Sequence, residues 1–209
     1  MCLLLQKVKR LGVAAALALA CLIAPNAGAQ SRSTAARVSA AAMDRDLMEV
    51  TIPRLESYYR ECRYTVTQVV RWYLSRIRRY NGVYGALEYV DEAGALAAAG
   101  DLDAQARAGG ASLRRGPMWG VPVVIKENTS VRGLVTSDGW KGYVLPGNEL
   151  VAPRDATIVA KLRAAGAVFL GKTNMPDFAA SDTNRSTAYG RTGNAYDVRF
   201  SPGVHPEAQ

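Results

Sequence analysis

The sequence predicts an α/β fold in which helices cover a largely buried sheet. Amphipathic helical segments alternate with short apolar runs, and the runs at residues 121–125 and 167–170 have the length and composition of buried strands. Of the 209 residues, 49% are hydrophobic and 21% are charged. This composition indicates one globular domain and excludes collagen-like and disordered chains.

The first 29 residues are predicted to be an export signal that is removed from the mature protein. Three cations lie within the first ten residues, Lys7, Lys9 and Arg10. An apolar run follows at residues 11–23, and Ala27-Gly28-Ala29 has the small residues that signal peptidase reads, so we expect cleavage after Ala29. The run is shorter than the ~20 residues that span a bilayer, which argues against a stable anchor. Lipid attachment at Cys21 is the less favoured alternative because the apolar run continues past it. The protein is therefore expected to be periplasmic or secreted.

Two helices are expected after a Ser/Ala-rich linker at residues 30–42. The first lies near residues 47–62 and is begun or interrupted by Pro53. The second covers residues 65–80, where a capping-box pattern precedes apolar residues that recur on one helical face. Asn81-Gly82 is expected to end this helix.

The arginines of the second helix do not indicate nucleic-acid binding, although the whole chain has a net charge of +8. They largely occupy the solvated side that the apolar face leaves: Arg71, Arg76, Arg78 and Arg79. No aromatic-rich binding signature accompanies them. No nucleic-acid partner is therefore expected.

Strands and helices alternate in the second half of the chain. The expected elements are a strand at 86–90, an Ala-rich helix at 91–108, a strand at 121–125, a Gly-rich stretch without periodicity at 129–151, a helix at 155–165 and a strand at 167–170. Gly109-Gly110 ends the Ala-rich helix and Gly166 ends the later one, while Asp155 is expected to cap the start of the latter. This alternation is the basis of the α/β prediction.

Residues 166–173 read GAVFLGKT and satisfy the phosphate-loop pattern GxxxxGK[ST]. A phosphate loop follows a strand and has irregular backbone between its glycines. Here a predicted helix precedes Gly166, and the Ala-Val-Phe-Leu run between the glycines is itself a predicted strand. ATP or GTP binding is therefore not expected.

The reactive residue types are scarce. The chain has three cysteines and one histidine, His205, so neither an all-cysteine zinc site nor a histidine cluster can form. A Ser-His-Asp triad would have to recruit His205 from the end of the chain. If the protein is an enzyme, we expect a base other than histidine, and no metal.

Three blocks in the second half carry the strongest signal. They are GPMWGVPVVIKEN at 116–128, the stretch from PRDAT to GKTNMPDFA at 153–179, and YGRTGNAYDVRFSPG at 189–203. In order and spacing they resemble the N-terminal half of the amidase signature family, and with the helix at 65–81 the resemblance covers roughly residues 45–203. It implies an α/β/α sandwich, of which this chain holds the N-terminal portion, and amide hydrolysis by a Ser-cisSer-Lys triad without a cofactor.

The family lysine corresponds to Lys126, directly after the strand predicted at 121–125. A lysine acts as a base only when neutral, so burial must lower its pKa from about 10.4, and the apolar run could supply that burial. The alternative is a lysine that leaves the sheet for solvent. Lys172 and Asn174 are interpreted as structural or pocket-lining. Glu127 stands where many relatives carry aspartate, a mild departure.

The serious departure from the family lies at residues 204–209. There the family continues into a Gly/Ser-rich stretch, P-G-G-S-S-G-G-S, whose first serine bridges the lysine and the nucleophile. This chain has His205 at the bridging-serine position, and neither triad serine follows. None of its other serines has a neighbouring base and a glycine-rich turn. We therefore expect a truncated amidase domain at residues 43–203, followed by an aberrant tail. This truncated domain is expected to be inactive on its own.

The expected substrate class of the intact family is a small amide or a peptide amide. Two alternatives remain open: a non-catalytic exported binding or interaction module, and one half of a split amidase that a complementary C-terminal chain completes. Loss of part of the sheet would leave an open edge, so a fragment is expected to be prone to aggregate.

Overall fold

The computed structural model describes residues 39–113, 115–181 and 185–197. The helices in these ranges are α1 (Ala40–Leu47), α2 (Ile52–Arg60), α3 (Val66–Tyr84), α4 (Glu92–Gly109) and α5 (Thr157–Ala164). The strands are β1 (Leu87–Val90), β2 (Pro122–Lys126), β3 (Val168–Thr173), β4 (Arg185–Ser186) and β5 (Gly190–Arg191). The predicted export signal, linker residues 30–38 and the tail with His205 lie outside the described residues. None of the helices described is both long and apolar enough to cross a bilayer.

Strands β1, β2 and β3 form a mixed sheet in the order β1-β3-β2. β2 and β3 are parallel and are connected through α5, whereas β1 runs antiparallel to β3. The central strand β3 is covered on both faces, since residues 168–172 are all buried. The predicted strands at 86–90, 121–125 and 167–170 are therefore confirmed, and β3 continues to Thr173.

Helices pack on both faces of this sheet. Neighbouring residues of a strand point to opposite faces. Accordingly, Val168 and Leu170 belong to a large core formed with α1, α2, α3 and α4, whereas Phe169 packs in a smaller cluster with Val159 of α5 and Val131. This layering is a partial α/β/α fold and confirms the predicted fold class.

The first helices differ from the predicted ones. α1 begins at Ala40 with Ser39 as its N-cap, so the linker ends by residue 39. The helix predicted over 47–62 does not form as one unit, because Glu49 has a φ of 56° and α2 then begins afresh at Ile52. Proline lacks an N–H and fits only the first turn of a helix, where Pro53 lies.

Helix α3 confirms the predicted capping box and extends beyond its predicted end. The Thr65 and Gln68 side chains each accept a hydrogen bond from the other residue's backbone N–H. Asn81 does not stop the helix, because its side-chain amide instead bonds the backbone N–H and C=O of Leu87 at 2.8 Å each. The helix ends at Gly85, whose φ of 57° suits glycine.

Asp155 does not cap α5, contrary to the prediction. Ala156 is the N-cap. The Asp155 carboxylate instead accepts the Arg132 N–H at 2.7 Å and the Arg163 Nε–H at 2.9 Å. It therefore ties the Gly-rich stretch to α5 rather than closing the helix start.

Candidate active site

Lys126 is the last residue of β2, at the carboxyl end of the parallel strand pair. It is in register with Thr173, the last residue of β3, so both strands end at one edge of the sheet. The Lys126 side chain is exposed. Val124, two residues earlier and on the same face, is 43% exposed. The described residues therefore leave the Lys126 face of β2 uncovered.

The burial that the sequence predicts around Lys126 is absent from the described ranges. Val123 and Ile125 pack into the core clusters from the other face of the strand. In those ranges β2 pairs with β3 alone and forms an edge of the sheet. The apolar run thus buries the face opposite Lys126, and a neutral amine there requires cover from other polypeptide.

Glu127 directly follows Lys126 and lies in the opposite environment. Its side chain is 2% exposed. Its Oε1 accepts the Ser137 N–H at 2.5 Å, and its Oε2 accepts the Asp138 N–H at 2.7 Å. The carboxylate thereby joins the end of β2 to the loop at 137–138.

Lys172 of β3 is fully buried and forms an ion pair with Glu127. Its Nζ donates to the Val135 carbonyl at 2.8 Å, to Thr136 Oγ1 at 3.0 Å and to Glu127 Oε1 at 3.4 Å. Burial lowers the pKa of Lys172, an effect that the Glu127 carboxylate opposes. Each N–H of the ammonium has an acceptor, so the three contacts stabilise the charged form and make Lys172 poorly suited to act as a base.

The same geometry excludes a phosphate loop at residues 166–173. Helix α5 precedes Gly166, and the residues between the two glycines run into β3. The lysine of the pattern, Lys172, is committed to the buried ion pair. The backbone N–H groups therefore do not converge on a phosphate position.

Glu88 on β1 adds a second carboxyl group to this buried region. Its Oε1 accepts the Met175 N–H at 3.2 Å, while its buried Oε2 has no hydrogen-bond partner among the described residues. Burial raises the pKa of Glu88 from its ordinary 4.5 to about 8, and the charge of Glu127 adds to the effect. This shift favours the protonated form of Glu88 at neutral pH.

Asn174 follows β3 and links backbone segments that are distant in sequence. Its Nδ2 donates to the Gly85 carbonyl at 3.1 Å and to the Gly190 carbonyl at 3.3 Å. It thus connects the start of β1 with β5 near the same edge of the sheet. These contacts are structural, one of the two roles expected for Asn174.

Sequence reasoning did not single out Glu88 or the backbone around Phe178. Phe178 has a φ of 53°, as does Asp138, and the Phe178 N–H donates to the Asp138 carbonyl at 2.7 Å. Non-glycine residues in this conformation are strained and cluster at functional sites. No periodicity or motif in the sequence marks either feature, because both depend on the packing of β1 against β3 and of two loops on each other.

No group of three or more His, Cys, Asp or Glu side chains in the described part of the chain could hold a metal ion. His205, the residue at the expected bridging-serine position, is outside that part. The candidate site in the described ranges thus consists of the exposed Lys126 next to the buried ion pair of Glu127 and Lys172.

The family model for Amidase matches residues 68–204, a range that contains β2, α5 and β3. The chain belongs to the amidase signature family. A curated relative of this chain is a glutamyl-tRNA(Gln) amidotransferase subunit of Acidothermus cellulolyticus, 39% identical over 158 residues, or 76% of this chain and 30% of the relative. The chain thus spans about a third of the length of the curated relatives it matches.

Solved amidase structures also resemble the chain. The peptide amidase of Stenotrophomonas maltophilia superimposes with a TM-score of 0.63 at 30% identity, covering 72% of this chain and 31% of that structure. An amidase family protein from Bacillus anthracis str. Ames gives a TM-score of 0.64 at 26% identity, covering 76% and 32%. These likenesses confirm a partial amidase-signature fold.

Proposed function

We propose that this chain supplies the lysine of a Ser-cisSer-Lys amide hydrolase, with Lys126 as the base. Hydrolysis also requires a polypeptide segment that carries the two triad serines. The observation that carries the proposal is the position of Lys126. It ends a parallel strand inside the region of family similarity and lies on a face of β2 that the described residues leave uncovered.

The chemistry follows from an uncharged Lys126. The neutral amine accepts a proton from the bridging serine, which in turn takes the proton of the nucleophilic serine. The nucleophile attacks the carboxamide carbon, the C–N bond breaks, and ammonia or an amine leaves with a proton. Water then cleaves the acyl-enzyme to a carboxylate. No metal or organic cofactor takes part in this scheme.

His205 is not proposed as a replacement for the bridging serine. Pro206 follows it directly. An imidazole acts as a base only when neighbouring groups orient it. Among residues 204–209 the one ionisable neighbour of His205 is Glu207, and Pro206 separates the two.

The proposed substrate is a small amide or a peptide amide. The named relatives include a peptide amidase and a glutamyl-tRNA(Gln) amidotransferase. Export would separate this chain from charged tRNA in the cytoplasm, which favours a small amide or a peptide amide over charged tRNA as the substrate. No nucleic acid is proposed as a partner.

We also propose that the chain is exported and processed after Ala29. The basic, apolar and small-residue regions of the first 29 residues support this proposal. Mass spectrometry of the protein from its host should give a mature N-terminus at Gln30. A retained N-terminus, or a lipid on Cys21, would contradict it.

The test of the catalytic role is a chimera in which residues 30–203 replace the corresponding part of the Stenotrophomonas maltophilia peptide amidase. We expect the chimera to release ammonia from peptide amides, whereas the unmodified chain does not. Lys126→Ala should reduce kcat of the chimera by at least about 10⁴-fold, because loss of a member of a catalytic triad has effects of this order.

The matched control is Lys161→Ala, at an exposed lysine on α5, which should leave kcat unchanged. A folded but inactive chimera would contradict the proposal, as would an active chimera that tolerates Lys126→Ala. Cooperative unfolding of the unmodified chain, together with an inactive chimera, would favour the non-catalytic module. The large core formed by α1 to α4 with β3 is the observation that supports that alternative.

A further inference from the structure

The end of β2 holds two adjacent residues in opposite environments. Lys126 is exposed, whereas the neighbouring Glu127 side chain is 2% exposed. Consecutive residues of an extended chain point to opposite sides. Fixing the Glu127 carboxylate inside the protein therefore directs Lys126 to the open face.

Both carboxylate oxygens of Glu127 accept hydrogen bonds. Two backbone N–H groups, from Ser137 and Asp138, bind its two oxygens at 2.5 and 2.7 Å. The ammonium of Lys172 lies 3.4 Å from Oε1. These donors come from a loop and from the adjacent strand, so the carboxylate is held from two directions.

Lys172 is in turn held by the loop that precedes Ser137. Its Nζ donates to the Val135 carbonyl at 2.8 Å and to Thr136 Oγ1 at 3.0 Å. The backbone of Lys126 is fixed as well, since its carbonyl accepts the Thr129 N–H at 2.9 Å. The Lys126 backbone is thus held by contacts within β2, with β3 and, through Glu127, with the loop at 135–138.

We propose that Glu127 and Lys172 are positioning residues for Lys126. This inference rests on the proposed function. The buried pair fixes the peptide between residues 126 and 127 and thereby the direction in which the Lys126 amine leaves the sheet. A displacement of about 1 Å at a catalytic group can cost on the order of 100-fold in rate.

The experiment uses the chimera defined above and measures kcat and KM separately. Glu127→Gln leaves the shape of the side chain but replaces one acceptor oxygen with an NH₂ group, which faces existing donors. We expect kcat to fall by about 10- to 100-fold with KM unchanged, because substrate binding does not involve the pair. Glu127→Asp, which keeps the carboxylate, should retain most of the rate.

The matched control is Asp155→Asn. Asp155 also accepts a backbone N–H and pairs with a cation, at 2.7 and 2.9 Å, but its partners are Arg132 and Arg163 and not members of the Glu127–Lys172 pair. Its kcat should equal that of the parent chimera. A general loss of stability would lower the melting temperature of both variants, whereas a positioning role lowers kcat only for Glu127→Gln.

Thr136→Val provides a milder variant in case Glu127→Gln does not fold. It removes one acceptor of Lys172 and leaves the carboxylate in place, and a smaller decrease in kcat is expected. If Glu127→Gln folds and keeps the kcat of the Asp155→Asn control, the positioning role is wrong. If Glu127→Gln is unfolded, the same conclusion follows from a Thr136→Val variant with the kcat of that control. An inactive parent chimera, or one that tolerates Lys126→Ala, instead refutes the catalytic proposal.

Discussion

At the scale of single residues, two lysines near the carboxyl ends of β2 and β3 differ in burial because of their neighbours. Lys126 ends the edge strand β2 and is exposed, whereas Lys172 lies in the central strand β3 and is fully buried. A buried ammonium is tolerated only when it is paired and hydrogen-bonded. Glu127, Val135 and Thr136 meet that requirement for Lys172.

Glu88 should make stability depend on pH. Its pKa is raised from 4.5 to about 8, so the folded protein keeps a proton that the unfolded chain releases within this window. The free energy of unfolding should therefore fall as pH rises from about 5 to 8. Glu88→Gln cannot ionise and should lose less stability over that range.

Urea unfolding at pH 5.5 and pH 8.5 measures this difference. The control is Glu92→Gln, at a half-exposed carboxylate that pairs with Arg78 on the surface. It should show the same pH dependence as the parent protein. If the free energy of unfolding changed by the same amount between the two pH values for Glu88→Gln and for the parent, Glu88 would ionise normally in the folded state.

At the scale of elements, short-range signals predicted most of the segments. The capping box at Thr65, the glycine after α5 and the apolar runs of β2 and β3 all act within a few residues. Two errors occurred where a side chain bonded a partner more than one helical turn away in sequence. Asn81 bonds Leu87 instead of ending α3, and Asp155 bonds Arg163 instead of capping α5.

Two glycines near the end of α3 should respond oppositely to alanine. Gly82 lies within the helix, and a Cβ there would meet nothing within 4 Å. Gly82→Ala should therefore stabilise the protein by about 0.5–1 kcal/mol. Gly85 has a φ of 57°, and a Cβ there would lie 2.8 Å from the Arg191 carbonyl oxygen. Gly85→Ala should destabilise the protein by about 1–2 kcal/mol or more.

Chemical denaturation of both variants provides the measurement, and each serves as the control for the other. If Gly82→Ala also destabilised the protein, α3 would end before Gly82. Asn81 would then be the natural candidate for the helix end, as the sequence suggested.

At the scale of the whole molecule, helices cover β3 on both faces but the described residues leave part of β2 open. β2 is an edge strand in these ranges, and Val124 and Lys126 lie exposed on one face. An open edge with an exposed apolar residue invites pairing with another chain. This feature agrees with the proposal that further polypeptide completes the site.

The open strand should cause the 209-residue chain to self-associate. Val124→Lys adds a charge to the edge strand and should reduce concentration-dependent association in sedimentation velocity experiments. The control, Ile158→Lys, changes an apolar residue that is 55% exposed and belongs to α5 rather than to the edge strand. An equal effect of both substitutions would assign the association to general surface hydrophobicity.

The sequence by itself determined the alternation of strands and helices, the family and the position of Lys126 at a strand end, because periodicity, capping and motif order are encoded within short stretches. Tertiary structure alone decided which lysine is buried and which carboxyl groups surround it. Glu88, Glu127 and Lys172 come from three different strands or strand ends and meet only when the sheet pairs β1 with β3 and β3 with β2. Burial and charge pairing arise from such long-range contacts, which no local pattern of residues specifies.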